Sequence, residues 1–187
     1  MRPSHLRSRG VVRTTAMTAA ALVASLGAAV ALAVPSDATA VHAAKSPTAP
    51  ITTCTGGDMK VTAKTEPGQR LLLTATNTGK HTCYAYGYPY LRFGDAQAAP
   101  GVIAGSIPQA VVTLTAGESA YALVHTASRG AGHNHAVHTL EVYFAGRDQR
   151  GSVGPAAHVA LPKAGVRVDD SVRTTYWQST ARLALRW

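Results

Sequence analysis

The chain has 187 residues, 18 Lys and Arg against 9 Asp and Glu, and a formal charge of +9. Its basic residues are scattered singly, which argues against a dedicated nucleic-acid site. Two cysteines are an even pair; outside the cell such a pair reads as one disulfide, not as a metal or catalytic site.

The N-terminus has the three-part layout of a cleavable secretory signal. Arg2, Arg7, Arg9 and Arg13 form a positive front, and Ala16 to Val34 is apolar and uncharged. Pro35 ends that run, and Ala38-Thr39-Ala40 and Val41-His42-Ala43 both fit a small-x-small cleavage site. The expected division is a signal peptide over residues 1–43, a short linker over 44–53 and one domain over 54–187. No two arginines are adjacent in the front, which favours the Sec route over the twin-arginine route. Cys54 comes well past the apolar run, too late for a lipid-bearing cysteine. Loss of Arg2, Arg7, Arg9, Arg13 and Asp37 lowers the formal charge from +9 to +6.

After the Pro/Ala/Thr linker the dominant period is two, the strand signature. Met59, Val61 and Ala63 alternate with Asp58, Lys60, Thr62 and Lys64. Leu71, Leu73 and Ala75 alternate with Arg70 and Thr74, although Leu72 interrupts them, and Asn77-Thr78-Gly79-Lys80 reads as a turn. Further strands are expected over Val111 to Thr115, Ser119 to Thr126, Val137 to Ala145, His158 to Leu161 and Val166 to Val168. Asp170 to Ser179 is expected to hold one short helix capped by Asp169 or Asp170. Ala181, Leu183, Leu185 and Trp187 share one parity, which predicts a closing strand. Turn signals lie between these runs, at Gly94-Asp95, Pro100-Gly101, Ala116-Gly117, Gly130 to Gly132 and Gly151 to Pro155. Many short strands at this spacing indicate an all-β, antiparallel sandwich or barrel.

Several of these residues form a pattern: Cys54, a strand, Asn77-x-Gly79, Cys83-x-x-x-Gly87-Tyr88-Pro89, then Leu114-x-x-Gly117-Glu118-Ser119-Ala120. The chain thereby resembles the secreted actinobacterial family catalogued as domain of unknown function 4232, over roughly Cys54 to Trp187. The resemblance implies an exported, Ig-like β-sandwich with no assigned activity. It carries the family's first disulfide onto Cys54 and Cys83. Many members hold a second cysteine pair in the C-terminal half; here His and Gly occupy the stretch where its first member is expected. The family supplies no catalytic residues.

Two groups of side chains are candidate sites. His133, His135 and His138 lie in Gly132-His133-Asn134-His135-Ala136-Val137-His138, and neutral imidazoles are ligands for Zn²⁺ or Cu²⁺. Strand parity places His138 on the core face with Leu140, Val142 and Phe144, and His133 and His135 opposite, so only a loop lets all three converge. Tyr84, Tyr86, Tyr88 and Tyr90 share one parity, and aromatic faces stack on sugar rings and peptides. Gly87 and Pro89 are expected to bend or end that strand, splitting the four tyrosines two and two. Glu66, Glu118 and Glu141 are dispersed and read as surface residues. No nucleophile elbow, zinc-protease motif or phosphate loop occurs.

The expectation is an exported, non-catalytic binding or accessory module near the bacterial cell surface, without cofactor, and monomeric. An anionic cell-wall polymer or another surface protein is the expected partner; no nucleic acid and no stable membrane insertion after cleavage are expected. The alternatives are a metal-binding exported protein using His133, His135 and His138, and a hydrolase with an unrecognised site.

Overall fold

Alternation in the sequence becomes strand along most of the chain. The computed structural model describes residues 50–128, 130 and 133–187; the signal segment lies outside them. The strands are β1 (Thr52–Thr53), β2 (Met59–Glu66), β3 (Arg70–Asn77), β4 (Cys83–Phe93), β5 (Gly101–Val102) and β6 (Val112–Leu114). They continue with β7 (Ser119–His125), β8 (His135–Val137), β9 (Thr139–Ala145), β10 (Ser152–Ala160), β11 (Val166–Val168) and β12 (Arg173–Thr174). One helix, α1 (Ala181–Ala184), closes the chain. A back sheet runs β2-β3-β7-β12-β5, and a front sheet runs β1-β4-β9-β10 with β6 also on β4. β8 and β11 form a separate two-stranded ribbon. Pairing is antiparallel except at β1–β4 and β12–β5.

The inward parity of each sheet supplies one core. Leu71, Leu73 and Ala75 of β3 and Ala120, Ala122 and Val124 of β7 share a buried cluster with Leu91 and Phe93 of β4 and Val142 and Phe144 of β9. Burial of each Leu, Val and Phe among them stabilises by about 1.5–3 kcal/mol. The fold is thus all-β and sandwich-like. Leu72, the interruption in the β3 pattern, has its own explanation. It packs with Leu123 and Ala184 in a second cluster, because α1 covers that part of the back sheet.

The disulfide joins Cys54 to Cys83. Cys54 N–H donates to Tyr84 O at 3.0 Å. The bridge therefore ties the end of β1 to its neighbour β4 within one sheet; it does not cross between sheets as the immunoglobulin bridge does. Asn77 fastens the same region. Its Nδ2 donates to His81 O (2.9 Å) and Leu114 O (3.0 Å), and its Oδ1 accepts from Gly79 N (2.9 Å). Its backbone pairs with Glu118 and Gly117, and Glu118 Oε2 accepts from Thr115 N at 2.7 Å. The two turns β3–β4 and β6–β7 are thereby knotted together through one buried amide.

Three expectations are overturned. Ala181 to Trp187 is not a closing strand but contains α1. Thr180 has extended backbone and its side chain caps Leu183 N at 3.2 Å, so the apolar residues are used at helical spacing. Asp170 to Ser179 holds no helix; it lies along β7. Arg173 and Thr174 pair with His125 and Val124, Thr175 N donates to Leu123 O, and Gln178 pairs with Tyr121. Asp169 is not a helix cap: it accepts from Ser128 N (2.8 Å) and Ser171 N (2.7 Å) in a loop. The strand expected over Val137 to Ala145 breaks at His138, because Val137 pairs with Val166 in the ribbon while Leu140 belongs to β9. His138 is exposed, not on the core face.

Candidate functional site

β4 alternates along its length: Cys83, Ala85, Pro89, Leu91 and Phe93 are buried, while Tyr84, Tyr86, Tyr88 and Tyr90 are half-buried and Arg92 is exposed. The strand survives Gly87 and Pro89 because the sheet absorbs them in a bulge. From Tyr86 to Tyr90 β4 advances four residues while β9 advances two, Ala145 to Tyr143. β10 does the same from Val153 to Ala157 against Phe144 and Val142. Both neighbours of β9 carry two extra residues at one level. An even insertion preserves parity, so the tyrosines stay on the side opposite the core. Gly87 supplies the positive φ (58°) that the bulge requires.

The bulge divides the rings. Tyr84 and Tyr86 pair with centroids 5.5 Å apart, and Tyr88 and Tyr90 at 5.1 Å. Tyr176, outside β4, packs edge-on against Tyr88 at 5.3 Å. Tyr143 stands opposite Tyr90 on β9. Six of the seven tyrosines in the chain therefore belong to this region.

A charged network borders it. Glu141 lies across from Arg92 on β4 and His158 on β10. Arg92 Nη2 reaches Glu141 Oε2 at 2.5 Å, Tyr143 Oη donates to the same oxygen at 2.8 Å, and His158 Nδ1 is 3.6 Å from Oε1. The Tyr143 hydroxyl, then Arg92, holds the Glu141 carboxyl below the ordinary carboxylate range. The same hydrogen bond raises the Tyr143 phenol, and burial, then Tyr88, raises that of Tyr90. Tyr90 Oη donates to Gln149 O at 3.1 Å, pinning the β9–β10 hairpin beside the rings.

Neither Tyr143, Tyr176 nor the Glu141 network was visible as part of a site in the sequence. Glu141 and Tyr143 do alternate with Leu140, Val142 and Phe144, which marks them as outward. What places them beside Tyr90 is the pairing of β4 with β9, and no local pattern encodes that.

The histidines are arranged differently. His133, His135 and His138 are all exposed, and His133 has a positive φ of 47°. His135 and His138 line an open cleft of about 960 Å³ with the 94–101 loop, Val168, Asp169, Asp170 and Val172; His133 does not line it. Among the described residues, no group of three His, Cys, Asp or Glu is placed to hold a metal ion. No helix among them is long and apolar enough to cross a membrane.

The family described as domain of unknown function (DUF4232) matches residues 54–178. The chain belongs to that family. No curated protein and no solved structure matches it. The motif residues that carry the likeness are structural here. Cys54 and Cys83 form the bridge, Asn77, Gly79, Leu114, Gly117 and Glu118 build the knot, and Gly87-Tyr88-Pro89 is the bulge.

Proposed function

We propose that this protein is an exported, non-catalytic binding module whose recognition surface is the tyrosine region of the front sheet. The observation that carries the reading is the two ring groups along β4, Tyr84 with Tyr86 and Tyr88 with Tyr90 and Tyr176, beside the Arg92–Glu141–His158 network. Half-exposed phenol rings offer large contact area, and flanking charged groups supply directional hydrogen bonds. The export reading rests on the basic front, apolar run and small-x-small sites, and a buried disulfide suits an oxidising compartment. The partner is a polymer or protein of the bacterial cell surface, met after release by the Sec route.

Retention on purified cell wall tests this. Wild type, Tyr84→Ala and Tyr86→Ala are compared across a salt series from 0.1 to about 1 M, where the Debye length falls from about 10 Å to about 3 Å. Retention that persists in high salt and drops in the two variants is expected. Release of wild type by salt alone, with the variants unaffected, sinks the tyrosine surface in favour of diffuse charge.

A further inference from the structure

Next to Tyr84 on β4 the three-residue strand β6 forms a short sheet edge. Among the described residues β6 has β4 as its one strand neighbour, so its other side is an edge. Sheet edges are normally blunted by charge, proline or bulges. β2 presents exposed Lys60 and Lys64, and β10 carries the Gly154-Pro155 bulge. The approach to β6, Ile107 to Thr113, contains one proline, Pro108, and no charged residue. Instead Ile107 is 61% exposed and Val111 43%, with Trp187 at 43%. These are three of the four exposed large hydrophobic residues described, and all three line one open groove of about 710 Å³. Arg186 is the one charged residue lining it. Leu183, Arg186 and Trp187 lie beyond residue 178, where the family match ends.

We infer that this groove binds an extended apolar peptide segment of a partner protein, laid beside β6 with a carboxylate at Arg186. An exposed apolar patch of this kind marks an interaction surface. An edge strand supplies main-chain donors and acceptors to a segment added alongside it, and flanking apolar side chains read alternate residues. The groove's side-chain charge is complementary to an anion: a guanidinium is matched geometrically by a carboxylate, and no lining side chain is acidic. None of the six clustered tyrosines lines the groove, although Tyr84 is the cross-strand neighbour of Thr113, which does.

Titration calorimetry of the purified protein tests it with the peptide acetyl-Thr-Val-Thr-Val-Val, as the free acid and as the amide. The acid should bind, and the amide about tenfold more weakly, a difference of about 1.4 kcal/mol. Arg186→Gln should bring the acid to the amide's affinity. Val111→Lys should abolish binding of both, and Ile107→Ser, at the most exposed position, should do the same if the lysine variant melts early. No heat with the acid at millimolar concentration, or equal affinity for acid and amide, overturns the proposal. So does concentration-dependent dimerisation lost in Val111→Lys, which would assign the edge to a second copy.

Discussion

The two halves of the domain are fastened by different means. In the first, a covalent bridge joins Cys54 to Cys83, and Asn77 knots the adjoining turns. The second half contains no cysteine. Its anchor is Trp177, fully buried and stacked on Phe144 with centroids 5.3 Å apart and an interplanar angle of 8°. Trp177 N–H also donates to Gly87 O at 3.0 Å, which ties the C-terminal segment to the β4 bulge. A disulfide acts chiefly by restricting the unfolded chain, whereas a buried ring acts by filling volume in the folded one. The tyrosine region draws on both halves, Tyr84 to Tyr90 from one and Tyr143 and Tyr176 from the other. Loosening either half should therefore disturb it.

The largest effect is expected from the packing anchor. Trp177→Ala should cost about 3–5 kcal/mol by cavity formation, read as a lower midpoint in urea. Trp177→Phe should cost much less. It keeps a ring on Phe144 and removes Nε1, which has no hydrogen-bond partner among the described residues. Equal losses for the two variants would mean that the stack does not carry the second half. Next comes the covalent staple. Replacing Cys54 and Cys83 together by Ser should cost roughly 3–4 kcal/mol for a loop of this length. A loss under about 1 kcal/mol would show that Asn77 and the core already restrain the first half.

The difference between the halves also explains what could be read in the sequence. Strands with strict alternation, such as Met59 to Ala63 and Val166 to Val168, were legible because one face is buried and the other wet. The disulfide followed from cysteine count. The C-terminal segment misled because short patterns are ambiguous. Ala181, Leu183, Leu185 and Trp187 fit a period of two, yet the buried positions are Ala184 with Ala181 and Leu185 around it, chosen by the Leu72–Leu123 surface. Asp170 to Ser179 took its form from the free edge of β7, a tertiary demand that overrides local preference. Of the candidate site, the tyrosine parity was legible. So was their division two and two about Gly87 and Pro89; the Glu141 network and Tyr176 were not, since they depend on register with β9 and on a distant loop.

Polar fastening should matter less than the two anchors. Gln178 Nε2 donates to Ser106 O at 2.6 Å, and Asn77 satisfies three backbone groups. Each change to Ala leaves buried backbone groups unpaired, at about 1–3 kcal/mol. Asn77→Ala should be the costlier, because it strands more partners; the reverse order would contradict the knot.

Acid should weaken the second half preferentially. The Ser171 hydroxyl, then Ser128 N–H, holds the Asp169 carboxyl below its usual range, and the Tyr143 hydroxyl, then Arg92, does so for Glu141. In the first half Glu118 is lowered by Thr115 N–H. A carboxyl depressed in the folded state binds fewer protons there than when unfolded. Its stabilisation is complete above the ordinary carboxylate range and is lost as pH falls through the folded value. The Tm should be flat from about pH 7 to 5 and fall below about pH 4. Asp169→Asn should shallow that fall; an unaltered acid limb would remove Asp169 from the account.

The smallest effect tests how tightly the halves meet. Gly87 (φ 58°) faces Gln149 (φ 55°), and a Cβ on Gly87 would lie 2.8 Å from Gln149 Oε1. Two costs could follow from Gly87→Ala: left-handed backbone strain, about 1–2 kcal/mol, and a clash. The clashing atom is the end of a flexible, exposed side chain, so the clash should relax and the strain should dominate. Gln149→Gly alone should gain some tenths of a kcal/mol by relieving its own positive φ. In the double variant the two changes should add within about 0.5 kcal/mol. A larger favourable coupling would mean that Gln149 is held rigidly over the bulge by its neighbours. The hairpin would then be a fixed wall of the tyrosine region, and Gln149→Gly should weaken cell-wall retention as well.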